Sequence, residues 1–291
     1  MAVSMEALAA DLAAESAALR ARVSGLPDRE WLRDTPSPGW TVADQVSHLA
    51  HFDEAAIRSA TDADAFRQEL TRIGSAGGND PDRIAASYRH LRGEEILRWF
   101  DDTRSRLIST FRTLDPKLRL PWFGPPMSAA SSLTARVMET WAHGQDVADA
   151  LGVDTEPTER LRHVAHIGVG ARAYSLSVNG LEADDAPIRV EIAAPDGSTW
   201  TWGPAGAADR VSGAALDFCL AVTQRRHLDD LDLVVEGPHA RQWMSVAQAF
   251  AGGAGPGRAP GVVPLQAAPR GTDGGNPAPA HRHDGKARDD A

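Results

Sequence analysis

In the first half of the chain, apolar residues recur every three or four positions in four long runs, the spacing that lines one face of an α-helix. The first run covers residues 5–23. A loop follows, broken by Gly25, Pro27, Pro36, Pro38 and Gly39, and its Trp31 and Trp40 are expected to pack back onto the helices. Thr41, with Asp44 three residues on, forms a capping-box pattern in which Asp stands for the usual Glu. It opens a second helix that runs to about Ala60, with a polar extension toward Leu70. Residues 74–81, GSAGGNDP, read as a loop, and Pro81 suits the first turn of a third helix reaching about Leu114. Pro116, Pro121, Pro125 and Pro126 exclude a helix over 115–127, where Pro121, Trp122 and Phe123 offer a wall for a pocket. The fourth helix begins between Ser128 and Ser132 and stops at Gly152, a residue suited to the left-handed position past a helix end.

The pattern then changes. A helix over 158–177 leads to alternation at 188–193, a Pro195-Asp196-Gly197 turn and renewed alternation at 199–202, which together predict a hairpin. Residues 207–223 read as helix, 231–235 as a short strand and 239–250 as a last helix. These elements predict an α+β protein: a four-helix bundle over residues 1–155, a small α+β domain over 156–253, and a Gly- and Pro-rich disordered tail over 254–291.

A length of 291 residues leaves room for a sizeable core in two domains. At 42% hydrophobic residues and a mean hydropathy of −0.32 the chain has the composition of a soluble protein. No run approaches the ~18–20 unbroken apolar residues of a membrane span. The N-terminus carries acids early and has no basic stretch before an apolar one, so a signal peptide is not expected and a cytoplasmic location is. A net charge of −10 argues against a nucleic-acid surface. The single cysteine excludes an intrachain disulfide and a cysteine-rich zinc site. Cys219 lies in the apolar run AALDFCLAV, where burial as a small hydrophobe is expected.

The candidate chemistry sits in VMETWAHGQDVADA, residues 137–150. Glu139 and His143 are four apart, so on a helix their Cβ atoms lie ~5–6 Å from each other on one face. A carboxylate and an imidazole at that spacing can reach one divalent cation, and the apolar neighbours Val137, Met138, Trp141 and Ala142 mean that, if buried, they need such a partner. A third ligand must come from elsewhere, and His48 in the second helix is the candidate, with His51 one turn later as its alternative. Asp53 and Glu54 read as supporting or surface groups. Asp146 follows His143 by three residues and could orient its ring, or, like Gln145, lie on the helix surface. A rival set, Glu159, His163 and His166, is strung along ~10 Å of one helix and converges poorly on a single ion. His281 and His283 in the tail carry no assigned role.

The blocks GWTVADQVSHLAHFDEAA and METWAHGQDVADALG, taken together, resemble the DinB-like metal-binding bundle of the mycothiol-dependent maleylpyruvate isomerase family. The later segments WGPAGAADRVSGAALDFCLAVTQRRHLDDLDLVVEG and WMSVAQAFAGG resemble the small α+β, SCP2-like domain that follows it there. The family pattern of one helix-two histidine plus Glu-x3-His in helix four maps onto His48, Glu139 and His143. The resemblance implies a divalent metal, zinc first among candidates, and mycothiol as thiol co-substrate. It leaves open an isomerase, a thiol transferase, a metal-dependent hydrolase or a non-catalytic metal- or ligand-binding protein. Arg225 and Arg226, which follow an apolar helix, are candidates to clamp a substrate carboxylate, although the helix dipole alone favours arginine there. The partners expected are a small-molecule substrate and a low-molecular-weight thiol, with no nucleic acid and no membrane. Monomer and homodimer both stay open.

Overall fold

The computed structural model describes residues 4–75, 78, 80–182 and 185–261; most of the expected tail, 262–291 with His281 and His283, lies outside the described residues. Helix α1, Met5–Val23, starts where the Ser4 hydroxyl accepts the Ala7 N–H, and it buries Leu8, Leu12, Leu19 and Val23. The following loop holds a single-turn helix α2, Asp28–Trp31, and its Trp31 is buried as expected. Helix α3, Val42–Thr61, opens on the expected capping box: Thr41 Oγ1 accepts the Asp44 N–H while the Asp44 carboxylate accepts the Thr41 N–H at 2.9 Å.

The polar extension is a separate helix α4, Ala63–Ser75. Asp62 leaves helical geometry at φ −146° and its Oδ1 accepts the Ala65 N–H, so the chain is re-capped in a new direction. The third predicted helix is likewise two, α5, Pro81–Ser87, and α6, Gly93–Arg112. Between them Arg89 turns aside to donate to Asp44 and to the Gly39 carbonyl. Gly93 then passes directly under the Trp31 ring, where a Cβ would sit 2.3 Å from the indole.

Strands β1, Arg119–Leu120, and β2, Met127–Ser128, close the proline-rich segment as a minimal antiparallel hairpin. Helix α7, Ala129–Leu151, is capped by Ser128, whose hydroxyl accepts the Ser131 N–H, and it ends at Gly152, whose φ of +64° is the left-handed conformation the sequence predicts. Helices α1, α3, α6 and α7 pack side by side over cores that include Leu12, Leu49, Phe100, Leu107, Leu133 and Val147.

The remaining elements form the small mixed-sheet region. The helix expected over 158–177 is two, α8, Leu161–Gly170, and α9, Arg172–Val178. Strands β3, Ile188–Ala193, and β4, Thr199–Trp202, are the predicted hairpin with the predicted ends. The helix expected over 207–223 is corrected in its first half. Residues Asp209–Ala214 form strand β5, parallel to β3, and only Ala215–Val222 are helical, as α10. Val211 is buried against the sheet, and Gly213, at φ +149°, accepts the close approach of the Asp232 carbonyl, 2.8 Å from where a Cβ would be. Strand β6, Val234–Glu236, pairs antiparallel with β5 to give the order β4-β3-β5-β6, and helix α11, Pro238–Met244, ends earlier than the pattern suggests. The whole is a helical N-terminal part followed by a four-stranded mixed sheet, α+β overall.

Helix α7 joins the two parts. Its Met138, Trp141 and Ala142 belong to the core formed by α8, α10, α11 and the sheet, while Val137 and Val147 face the helical cores. A helix covered on all sides becomes apolar or satisfied nearly all round, and residues Thr140 to Ala150 are buried without a break. No described helix is long and apolar enough to cross a membrane.

Candidate metal centre

Helix α3 brings His48, and helix α7 brings Glu139 and His143, to one place inside the helical part. One ligand atom from each lies within 4.8 Å of the others, and among the described residues no other three His, Cys, Asp or Glu side chains are so placed. His143 Nε2 is 3.2 Å from Glu139 Oε2, and the rings of His48 and His143 are 4.5 Å apart between centroids. Trp40 stacks along His143 and leans on His48, whose other face meets Phe52 at 4.6 Å. The histidines are 8% and 9% exposed and the Glu139 side chain 18%, the most exposed of the three.

A hydrogen-bond relay fixes which nitrogen of His143 is free. Thr35 Oγ1 donates to the Trp40 carbonyl at 2.8 Å, so it must accept from the Gln45 amide nitrogen at 2.9 Å. That orientation turns Gln45 Oε1 toward His143 Nδ1, which donates to it in a short bond. Nδ1 therefore carries a proton, and Nε2 is the nitrogen turned to the Glu139 carboxylate, free to face a cation or, without one, to hydrogen-bond the carboxylate through a second proton. Meanwhile His48 Nδ1 is buried with no hydrogen-bond partner among the described residues.

The electrostatics point the same way. Burial, then the neighbouring His143, hold the His48 pKa well below the usual histidine value and keep it a neutral donor. For Glu139, burial alone would raise the pKa, but the hydrogen bond with His143 and the Arg136 guanidinium outweigh it and hold the carboxyl at about 2. Two imidazoles and one carboxylate are the ligands a borderline divalent ion such as zinc prefers, and three protein ligands leave coordination positions for a guest. The residues fit the group that the sequence pattern suggests.

Other candidates are placed elsewhere. His51 Nδ1 bonds the Tyr88 hydroxyl at 2.8 Å instead of joining the cluster. Asp53 is buried and bridged by Arg104, and Glu54 accepts the Trp99 indole N–H. The rival set does not converge: His163 pairs with Asp11 at 2.8 Å, Glu159 accepts the Asp196 N–H, and His166 is exposed. Cys219 is buried and its thiol pKa pushed up by that burial.

Asp146 does not orient His143. Its carboxylate accepts from Ser37, from Arg225 at 2.9 Å and from Arg258 at 2.5 Å, so it lies neither on the surface nor against the ring, and Gln45 holds His143 instead. Gln145 donates to Asp149. Arg225 donates also to the Ala142 and Thr223 carbonyls, and Arg226 grips Asp149 through two bonds of 2.7 and 2.8 Å. Instead of free guanidiniums for a substrate, the two arginines hold carboxylates of α7 and tie the sheet region to the helix that carries Glu139 and His143.

Two residues of the site escape sequence reasoning. Gln45 lies three before His48 and Arg136 three before Glu139, each on the ligand face of its helix, and that spacing is the only signal they give. Arg136 is 5% exposed, and its guanidinium lies about 6 Å from the Phe52 and Trp122 rings.

Comparison with known proteins agrees with this architecture. A family model described as the mycothiol maleylpyruvate isomerase N-terminal domain matches residues 12–148, and one described as wyosine base formation matches residues 184–236. An uncharacterised protein of Mycobacterium tuberculosis, found in strains H37Rv and CDC 1551, is 47% identical over 249 residues, covering 86% of this chain and 97% of the relative. The crystal structure of the mycothiol-dependent maleylpyruvate isomerase aligns with a TM-score of 0.55 at 15% identity, over 81% of this chain and 96% of that one. A histidine-to-alanine mutant of that enzyme aligns at 0.54 and 14%. At such identity these two structures speak for the fold alone. The chain, in its fold, its domain match and its full-length relatives, belongs to the mycothiol maleylpyruvate isomerase N-terminal domain family.

Proposed function

We propose that the protein is a metal-dependent enzyme that uses a low-molecular-weight thiol, mycothiol by analogy with the structural relative, on a small electrophilic substrate. The observation that carries this reading is the convergence of His48, Glu139 and His143 within 4.8 Å, with His143 Nδ1 held by Gln45 so that Nε2 is turned to the other ligands. A divalent cation such as zinc, when bound, lowers the pKa of a thiol that enters an open position, so that a nucleophile is available at neutral pH.

The chain's own residues do the rest. Gln45 holds His143 Nδ1–H and keeps Nε2 turned to the centre. Trp40 and Phe52 shield the histidines from water, which strengthens every charge interaction inside. Arg225 and Arg226 anchor α7 through Asp146 and Asp149, so the i,i+4 pair keeps its geometry. A thiolate in this pocket supports two reactions. Addition to an activated double bond, rotation and expulsion isomerise the substrate and return the thiol. Displacement of a leaving group forms a new C–S bond and consumes it.

Elemental analysis of the purified chain, followed by a thiol-plus-electrophile screen, tests the reading. It expects stoichiometric divalent metal, lost in both H48A and E139A, and turnover that requires the thiol. Metal retained by both variants removes the site assignment. Turnover unaffected by omitting thiol assigns the open position to water and the protein to metal-dependent hydrolysis.

A further inference from the structure

With a divalent ion bound, the interior beside the metal ligands would hold more positive charge than the chain neutralises, since Arg104 and Arg136 are balanced by Asp53 and Glu139 before the ion is added. Among the described residues the Arg136 guanidinium forms no hydrogen bond, and its Nη1 is fully enclosed. Asp53 Oδ1 lies 4.0 Å away, too far for one, and that carboxylate is already gripped by Arg104 through bonds of 2.7 and 3.3 Å. Asp53 is thus committed to Arg104, and Arg136 has only the charge of Glu139 to balance it. Glu139, one turn along α7 from Arg136, is the remaining acid, and it belongs to the ligand cluster. A bound divalent ion would take the Glu139 charge and leave Arg136 without a partner.

We infer that Arg136 is an anion-recognition residue of this pocket, which takes a carboxylate of the guest while the metal position takes its reacting end. The inference rests on the proposed function for where the guest sits. The placement suits the task. Arg136 lies over the rings of Phe52 and Trp122, and Phe52 also touches His48, so guanidinium and ligand cluster share one aromatic wall. Its planar fork of N–H donors matches a carboxylate, and in a water-poor setting that pairing is strong. Arg225 and Arg226, the other candidates for such a role, are bound to Asp146 and Asp149.

The alternative is that Arg136 merely completes a structural ion cluster with Asp53 and Arg104. The two roles differ in sign. A buried guanidinium without hydrogen bonds is a desolvation cost, so replacing it by an apolar side chain of similar length should leave stability equal or higher if its purpose is binding. The test is calorimetric titration of the zinc-loaded full chain with succinate, and with neutral succinamide, for wild type and R136M, with zinc content and Tm measured on both. Expected are unchanged zinc, a Tm that does not fall, succinate affinity weaker by at least about tenfold in R136M, and no comparable binding of succinamide. R136M that binds succinate as wild type does, wild type that fails to bind it at millimolar concentration, or succinamide that binds equally well would each overturn the inference. Where R136M is too unstable to titrate, R136Q replaces it with the same two readings. A chain that holds no zinc defeats the proposed function instead, and the wild-type and R136M comparison on the metal-free protein then decides this inference separately.

Discussion

Gln45→Ala probes the relay that sets the His143 tautomer. In the native chain Gln45 Oε1 accepts from His143 Nδ1, and its amide nitrogen is pinned by Thr35, whose own proton goes to the Trp40 carbonyl. Truncation removes the acceptor, leaving Nδ1–H unpaired at a position that is 9% exposed, and frees the ring to carry its proton on Nε2, where it would block the metal. Losing a partner of this kind costs about 1.4–2.8 kcal/mol, which is roughly 10–100-fold in metal affinity. Competition against a chromogenic zinc chelator reads that change directly. Gln45→Glu sharpens the reasoning: it restores a stronger acceptor for Nδ1–H and makes Thr35 turn its proton from the Trp40 carbonyl. Q45E is therefore expected within a few-fold of wild type, about the margin of one weak hydrogen bond. A Q45A affinity within twofold of wild type, with an unchanged Tm, would refute the tautomer argument, as would equal losses in Q45A and Q45E.

Three further outcomes are expected. Stripping the metal with a chelator should lower Tm, and restoring zinc at about a hundred times its Kd should return about 2.7 kcal/mol; scanning calorimetry on wild type and H48A checks this, since H48A should show no metal-dependent shift. Burial would raise the Asp146 pKa, but Arg225 and Arg258 outweigh it and hold it below the usual carboxylate range, so its contribution is present above about pH 4 and is lost as pH falls through the depressed value. D146N should cost about 3 kcal/mol or more at pH 7 by stranding a buried guanidinium, and urea melts between pH 7 and pH 3 should show the gap to wild type closing on the acid side. Gly93→Ala would push a methyl to within 2.3 Å of the Trp31 ring, an overpacking expected to cost about 1–3 kcal/mol, read as a lower urea midpoint with an unchanged slope.

Much of the architecture is legible in the chain because it depends on short-range geometry. The Thr41–Asp44 capping box, the Ser128 cap, the left-handed Gly152 and the ends of the 188–202 hairpin follow from residues within a few positions of each other. The Glu139–His143 pair is of the same kind, since a helix puts residues four apart on one face whatever surrounds it. Even the third ligand, His48, is found by a pattern that spans two blocks. The breaks are less visible. Helical spacing continues through Asp62, Tyr88 and residues 209–214, and what interrupts it is Trp31 pressing on Gly93, or β3 offering a partner to β5, contacts between residues far apart in sequence.

The sequence by itself determined which residues can be helical and which two of them share a face, while the choice of His48 over His51 leaned on the family resemblance and is made by packing. Only the tertiary structure decided who neutralises whom. Spacing leaves Asp146 either to orient His143 or to lie on the helix surface, whereas packing gives it to Arg225 of the sheet region and to Arg258 beyond it, and Gln45 from α3 holds the ring. Arg225 and Arg226 carry the same charge in any fold, but the carboxylates opposite them make them anchors of a helix, while Arg136, unremarkable in the sequence, is left buried with no hydrogen bond among the described residues. Local spacing sets direction along one element, whereas charge pairing depends on distances between elements, and those exist only once the helices and the sheet have packed.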